Sequence, residues 1–358
     1  MAHDLHNLLF LLGENIDCSA QPSEVLAELY RSNSIENYDS VVGLYQTFEK
    51  EILMTKKYVV GVDLGGTKVE ACLLDTDRIL LGRRRVYSQA SQGLERVIDN
   101  IERVIVEVAN GRPYAAVGMG TPGTYVESED RLYGTPHTPI YEIPGFIQQL
   151  RKRLKVPILV ENDANCLALA EFFETCSGKY HYVMAVIIGT GMGYGLILDD
   201  KLYRGAKGGA GEIGHTTIDY DGRLCECGRR GCAEAYLSGP SLSRRFYDLS
   251  GKRLEARDIY QLYQAKDPQA VKLFEESCQI MGEVFANAIN AFDLEAIILG
   301  GGVSNIPLWY EKVPPVIEKS LFGVPRGKIP ILKAQLGDSA GVFGAAYLAL
   351  RKLGFMDF

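Results

Sequence analysis

Tyr58-Val59-Val60-Gly61-Val62-Asp63-Leu64-Gly65-Gly66-Thr67-Lys68 is a β-branched run that ends in an acid and two glycines. A second strand pattern, Val69 to Leu74, follows at once. The glycines therefore turn one strand into the next, as in a hairpin. This excludes a dinucleotide fingerprint, whose glycines open a helix. The Gly-X4-Gly-Lys-Ser/Thr spacing of a phosphate loop is also absent. Backbone N–H groups on such a turn can still cradle phosphate, with Thr67 and Lys68 in reach. Asp63, at the strand end, suits Mg2+ held through water, because Mg2+ dehydrates reluctantly. A single Gly-Gly hairpin is more often only a turn. Here a second unit exists: Val183–Ile188 runs into Gly189-Thr190-Gly191-Met192-Gly193, and Tyr194 to Leu198 continues as a strand. One unit in each half predicts duplicated α/β domains facing each other across a cleft, each turn offering donors to a nucleotide's phosphates.

Outward from these turns the pattern alternates. A third strand is expected over about Ile79–Tyr87 and a helix over about Gly93–Ala109, with Val97, Ile98, Ile101, Val104 and Ile105 at helical spacing. Ala115–Met119 reads as a strand entering Gly120-Thr121-Pro122-Gly123, and Ile143-Pro144-Gly145-Phe146 opens a helix ending near Lys155. The short strand Pro157–Val160 delivers Glu161-Asn162-Asp163-Ala164-Asn165 to an Ala-rich helix through Glu174. Asp163 there is a candidate general base. A structural N-cap is the competing reading, and the helix dipole is expected to keep the carboxylate ionised. Further on, helices are expected over Ala233–Phe246, Asp258–Ala265 and Pro268–Ala291. The strand Ala296–Leu299 enters Gly300-Gly301-Gly302, whose bare backbone suits a flat adenine or ribose. A small-residue helix from Gly337 to Leu353 carries Gly341, Gly344 and Ala345, which permit close packing by another helix at a hinge.

Cys225-Glu226-Cys227-Gly228-Arg229-Arg230-Gly231-Cys232 places three thiols in eight positions, ten residues after His215. Three Cys and one His close a tetrahedral zinc site. Gly228 and Gly231 let the backbone fold tightly around it. A disulfide is the weaker reading, since the other five of the eight cysteines are scattered, as in a reducing cytosol. Glu212 and Glu234 flank the cluster and are free to bind a substrate.

The 358 residues carry 47% apolar residues and a net charge of −7 with no basic block. This fits two moderate domains and argues against nucleic acid as a partner. No stretch reaches the ~18–20 apolar residues of a membrane span, and the run Leu8–Leu12 lacks the basic flank of a secretory signal. Residues 1–53 read as a helical N-terminal extension, with Asn33 or Ser34 capping a helix to about Glu51.

Together these motifs resemble the ROK family of sugar kinases and repressors, within the actin-like/Hsp70 superfamily, from about Tyr58 to the C-terminus. The resemblance implies two actin-like (ribonuclease H-like) domains, 54–165 plus 338–358 and 166–337, around a nucleotide and sugar cleft. It implies that Asp63, Gly65, Gly66, Thr67 and Lys68, with Gly189, Thr190, Gly191 and Gly193, bind the phosphates of ATP, and that Gly300, Gly301 and Gly302 bind its adenosine. It further implies that Asn162, Asp163, Glu212, His215 and Glu234 contact the sugar, and that His215, Cys225, Cys227 and Cys232 hold a structural Zn2+. Asp163 then accepts the proton as a hexose hydroxyl, the 6-OH, takes the phosphoryl group. A cytoplasmic homodimer using ATP and Mg2+ is the expectation.

Ile143–Phe146 resembles a segment of bacterial glucokinases that ends in Trp, which makes glucose the expected substrate. Tyr236-Leu237-Ser238-Gly239 resembles N-acetylglucosamine kinases, so N-acetylglucosamine or N-acetylmannosamine is the alternative. A ROK-type repressor would add a DNA-binding domain that residues 1–53 do not resemble, and an actin-like assembly protein would have no use for the zinc and carboxylate set.

Overall fold

The computed structural model describes residues 58–135, 138–176 and 178–357. The helix expected before Glu51 lies outside them. The chain begins with β1 (Tyr58–Leu64), β2 (Lys68–Asp75) and β3 (Leu80–Tyr87), then α1 (Leu94–Ala109), β4 (Val117–Thr121), and the short pair β5 (Thr124–Val126) and β6 (Arg131–Tyr133). Next come α2 (Phe146–Leu154), β7 (Ile158–Asn162), α3 (Asp163–Thr175), β8 (Val183–Ile188), β9 (Met192–Leu198) and β10 (Lys201–Leu202). The remainder is α4 (Glu234–Leu237), α5 (Gly239–Ser250), α6 (Ala256–Gln264), α7 (Pro268–Phe292), β11 (Ala296–Gly300), α8 (Leu308–Ser320), β12 (Ile331–Lys333) and α9 (Ala340–Lys352).

The strands form two five-stranded sheets, β3-β2-β1-β4-β7 and β10-β9-β8-β11-β12. In each, the first strand pairs antiparallel with the second and parallel with the fourth. The order third-second-first-fourth-fifth thus occurs twice, which is the repeat expected from the two glycine turns. β1, β4, β8 and β11 are buried almost end to end, as strands covered on both faces must be. β3 lies at an edge, exposed along most of its length and carrying Arg83, Arg84 and Arg85, charges that discourage further pairing.

Helices α3 and α9 pack against each other and join the sheets, α9 lying on β1 and β4 while α3 lies on β8 and β9. Glycines set this closeness. A Cβ at Gly118 would stand 1.7 Å from Ala345 O, and one at Gly344 would stand 1.7 Å from Cys166 O. Gly344 therefore admits a helix as expected, but Ala345 lies against Gly118 of strand β4, and the space beside Gly341 is filled by the Asp63 carboxylate.

Two expectations are corrected, and one helix was not expected. The helix expected over Ala233–Phe246 is two. Ser238 is extended, its hydroxyl accepts from Ser241 N at 3.3 Å, and Pro240 follows in the first turn, so α5 starts afresh. The break lets Gly239 N donate to Gly189 O at 2.9 Å and tethers the second glycine turn. The C-terminal helix begins at Ala340 after a 3-10 turn over Gly337–Ser339. Helix α8 escaped notice because Pro314 and Pro315 lie inside it.

Candidate active site

The first turn is built by groups far away in sequence. Tyr141 Oη donates to Gly65 O at 3.0 Å, Ser88 Oγ donates to Gly66 O at 2.7 Å, and Ser88 N donates to Thr67 O at 2.9 Å. In a planar trans peptide the next N–H points opposite to each carbonyl. The N–H groups of Gly66 and Thr67 thus face away from these partners, and neither has an acceptor among the described residues. Unpaired donors side by side form an anion-binding concavity. Neither glycine has a positive φ; bareness rather than backbone freedom is what they supply.

A cavity of about 340 Å³ opens beside this turn. Asp63, Gly65, Thr67 and Lys68 line it from one sheet, and Ile187 and Gly301 from the other, with Asp163 between them. Gly337 and Gly341, at the start of α9, complete the wall and were not expected there. The triple glycine divides its labour. Gly300 is buried within β11 and is not part of the cavity wall. Gly301 has φ +82° and sits where a Cβ would meet Ile188 O at 2.4 Å, and Gly302 faces open space. Of the second turn, Thr190 is exposed, while Gly193 packs where a Cβ would touch Ala164 at 3.1 Å. Gly189, Thr190, Gly191 and Gly193 are not part of the cavity wall.

Asn162 caps α3, its Oδ1 accepting from Ala164 N at 2.9 Å and Asn165 N at 3.3 Å, and its Nδ2 donates to Gly123 O at 3.1 Å. The cap is therefore Asn162, and Asp163 is left to face the cavity with one oxygen on Ala164 N at 2.8 Å. The helix dipole does not win at Asp163. Although its side chain reaches solvent, the surrounding protein strips enough water to push its pKa up from 3.8 to about 6, and the Glu212 charge adds to this against the Ala164 N–H. Asp63 is pushed up to about 7, by burial first and then by the neighbouring Asp163 and Glu70 charges. Glu161, behind the pair, is buried and neutralised by Arg204 at 2.6 Å.

Glu212 immediately precedes a 3-10 turn over Ile213–His215, and His215 N donates to Glu212 O at 3.1 Å, which holds the two residues one turn apart. The ligand atoms of His215, Cys225, Cys227 and Cys232 lie within 4.8 Å of one another. Cys227 Sγ stands 3.6 Å from Cys232 Sγ, and Cys225 Sγ stands 3.7 Å from His215 Nδ1. Zinc bonds of about 2.3 Å to sulfur and about 2.0 Å to nitrogen give tetrahedron edges of about 3.5–3.8 Å. A disulfide would need about 2.0 Å. The donor set fits zinc, and its approach through Nδ1 leaves His215 Nε2 for another partner. Gly231, at φ +70°, is obligatory, since a Cβ there would stand 1.6 Å from Asp219 O. Glu234 links this cluster to the second turn: Oε1 is 3.7 Å from Cys225 Sγ, and Oε2 accepts from Met192 N at 2.8 Å.

The sequence profile of the ROK family matches residues 59–352. The chain belongs to the ROK family. An N-acetyl-D-glucosamine kinase of Mannheimia succiniciproducens is 34% identical over 310 residues, covering 82% of this chain and 99% of that protein. The ROK hexokinase of Thermus thermophilus superposes with a TM-score of 0.75 at 32% identity, covering 82% of this chain and 99% of that one. A ROK family glucokinase from Streptomyces griseus, solved with glucose and AMPPNP, gives 0.68 at 31% identity over 81% and 98%. The protein is a ROK sugar kinase, an ATP:sugar phosphotransferase. No helix among the described residues is long and apolar enough to cross a membrane.

Proposed function

We propose that this ROK kinase phosphorylates N-acetylglucosamine at its 6-hydroxyl. The observation that carries the choice of sugar is the run of similar curated proteins, 30–34% identical over nearly their whole length, that are N-acetyl-D-glucosamine kinases. It reverses the weight that Ile143–Phe146 gave to glucose. Glucose stays as the second reading, supported by the 31% identical glucokinase.

In this reading Asp163 takes the proton of the sugar hydroxyl. The hydroxyl oxygen bonds to the γ-phosphorus, and the bond from that phosphorus to the departing ADP breaks. Glu212, His215 Nε2 and Glu234 hold the sugar hydroxyls, with Asn162 beside Asp163 contributing its remaining amide hydrogen. The Gly66 and Thr67 N–H groups, with Thr67 and Lys68, hold phosphate, and the turn Gly189–Gly193 approaches from the other half. Gly301 and Gly302 border the nucleoside. Mg2+ held through water by Asp63 would neutralise the triphosphate. Zinc held by His215, Cys225, Cys227 and Cys232 would be structural, all four positions being filled by protein.

The two actin-like domains are assigned as 54–165 plus 338–358 and 166–337, closing around the ligands and excluding water. The test is ATP-dependent turnover by the purified protein across N-acetylglucosamine, N-acetylmannosamine, glucose, mannose and fructose, with product analysis. N-acetylglucosamine 6-phosphate as the main product supports the reading; phosphorylation of glucose alone replaces it with the second.

A further inference from the structure

We propose that Arg85 is a further phosphate-binding residue of the nucleotide cleft, set in place by the buried carboxylate of Glu70. Asp63, Glu70 and Arg85 lie directly opposite one another across β1, β2 and β3. Directly opposed side chains share one face of a sheet. All three line the cavity that holds Lys68 and Asp163. Arg84, one position away on the alternate face, does not.

Glu70 is 4% exposed, although it is a carboxylate on a sheet. Its Oε2 accepts from Arg85 Nε at 2.8 Å and also from Arg85 Nη2. Its Oε1 lies 3.2 Å from Arg83 Nε, and Arg83 Nη1 donates to Ser339 Oγ at 2.5 Å, next to the cavity wall at Gly341. One guanidinium would neutralise a buried carboxylate. Two leave one positive charge to spare beside the Asp63 carboxylate, and of the two only Arg85 lines the cavity. Arg85 spends two of its five N–H donors on Glu70. The rest have no acceptor among the described residues, and the head is partly open to solvent. A guanidinium held rigidly on one side with donors free on the other matches phosphate oxygens in pairs, which a lysine cannot do. The cavity otherwise offers the phosphates one cationic side chain, Lys68, against the carboxylates of Asp63 and Asp163. Glu70 touches no ligand in this scheme and is a positioning residue.

The proposal rests on the reading of this cleft as the ATP site, but not on the identity of the sugar. It is tested by equilibrium titration with AMP-PNP and with AMP, in Mg2+ and without sugar, on the wild type, Arg85→Gln, Arg85→Lys, Glu70→Gln and the double variant Glu70→Gln/Arg85→Gln. Arg85→Gln should weaken AMP-PNP by about 10–100-fold, the worth of one or two hydrogen bonds to a charged group, and leave AMP within about twofold. Arg85→Lys should recover part of the loss. Glu70→Gln should weaken AMP-PNP less and add nothing once Arg85 is gone. Equal losses for both nucleotides, no loss, or a wild type that does not prefer AMP-PNP over AMP would overturn the proposal. Melting curves separate unfolding from lost contact. Should Arg85→Gln fail to fold, Arg85→Lys and Glu70→Gln carry the comparison. Silence in the sugar panel with this contrast intact would remove the proposed substrate and leave Arg85 standing.

Discussion

Replacing Asp163 with Asn should disable the enzyme and stabilise the fold. The side chain keeps its shape, and its oxygen can still accept from Ala164 N. What disappears is a charge held where the protein disfavours it. A carboxyl whose pKa rises from 3.8 to about 6 on folding opposes the folded state at neutral pH by at most about 3 kcal/mol. Asp163 reaches solvent, which screens the charge, so about 1 kcal/mol is the better expectation. For a chain of this size that is an increase in Tm of about 2 °C.

The sign follows from linkage. Below about pH 4 both folded and unfolded chains carry the proton, and the variant gains nothing. Between about pH 4 and 6 the unfolded chain gives up its proton while the folded one keeps it, so wild-type stability falls relative to the variant. Above 6 the difference is constant. Unfolding of nucleotide-free wild type and Asp163→Asn at pH 5.0 and 7.5 should show the variant ahead, and further ahead at 7.5. Activity moves the other way. Turnover should drop about 10²–10⁴-fold in Asp163→Asn, and wild-type kcat/KM should fall as pH drops through about 6, where Asp163 takes up its proton. A variant less stable at pH 7.5, or an advantage independent of pH, would refute the burial argument; near-wild-type turnover would refute the role of base.

Cys227→Ser should lower zinc below the expected one per chain, measured by elemental analysis, and raise KM for sugar more than KM for ATP, since His215 belongs to the cluster and Glu234 adjoins it. Ser88→Ala frees the Gly66 carbonyl; a loss of about 1 kcal/mol in the turn's definition should raise KM for ATP about fivefold with little change for sugar, by initial-rate kinetics. Gly118→Ala places a methyl 1.7 Å from Ala345 O, where α9 meets β4, and should cost about 2–4 kcal/mol in urea unfolding.

Features legible in the sequence were those that a few neighbouring residues encode. The turns at Gly65 and Gly189 declare themselves because glycine interrupts β-branched runs, and their repetition foretold the repeated sheet order. The thiols of Cys225, Cys227 and Cys232 announce the cluster they form with His215, because donors close in sequence are easily brought within 4.8 Å of one another. The groups that escaped act across long separations. Ser88 and Tyr141 orient the first turn from 22 and 76 residues away. Glu171 is wholly buried and fixes the approach to Gly337 by accepting from Gln335 N and Leu336 N at 2.7 and 2.9 Å, more than 160 residues on. Arg85 reads as an edge-strand charge until its register with Glu70 and Asp63 is known. Asp163 stays ionised at neutral pH as expected, but its rise to about 6 was not legible, because a helix terminus shows in the sequence whereas the desolvating walls of a cleft belong to the assembled fold.

The most direct test of the central claim is the ratio of kcat/KM for N-acetylglucosamine to that for glucose, measured with saturating ATP and Mg2+. A ratio well above one, abolished along with turnover in Asp163→Asn, is the predicted result. A ratio below one, or turnover that persists without the Asp163 carboxylate, would contradict it.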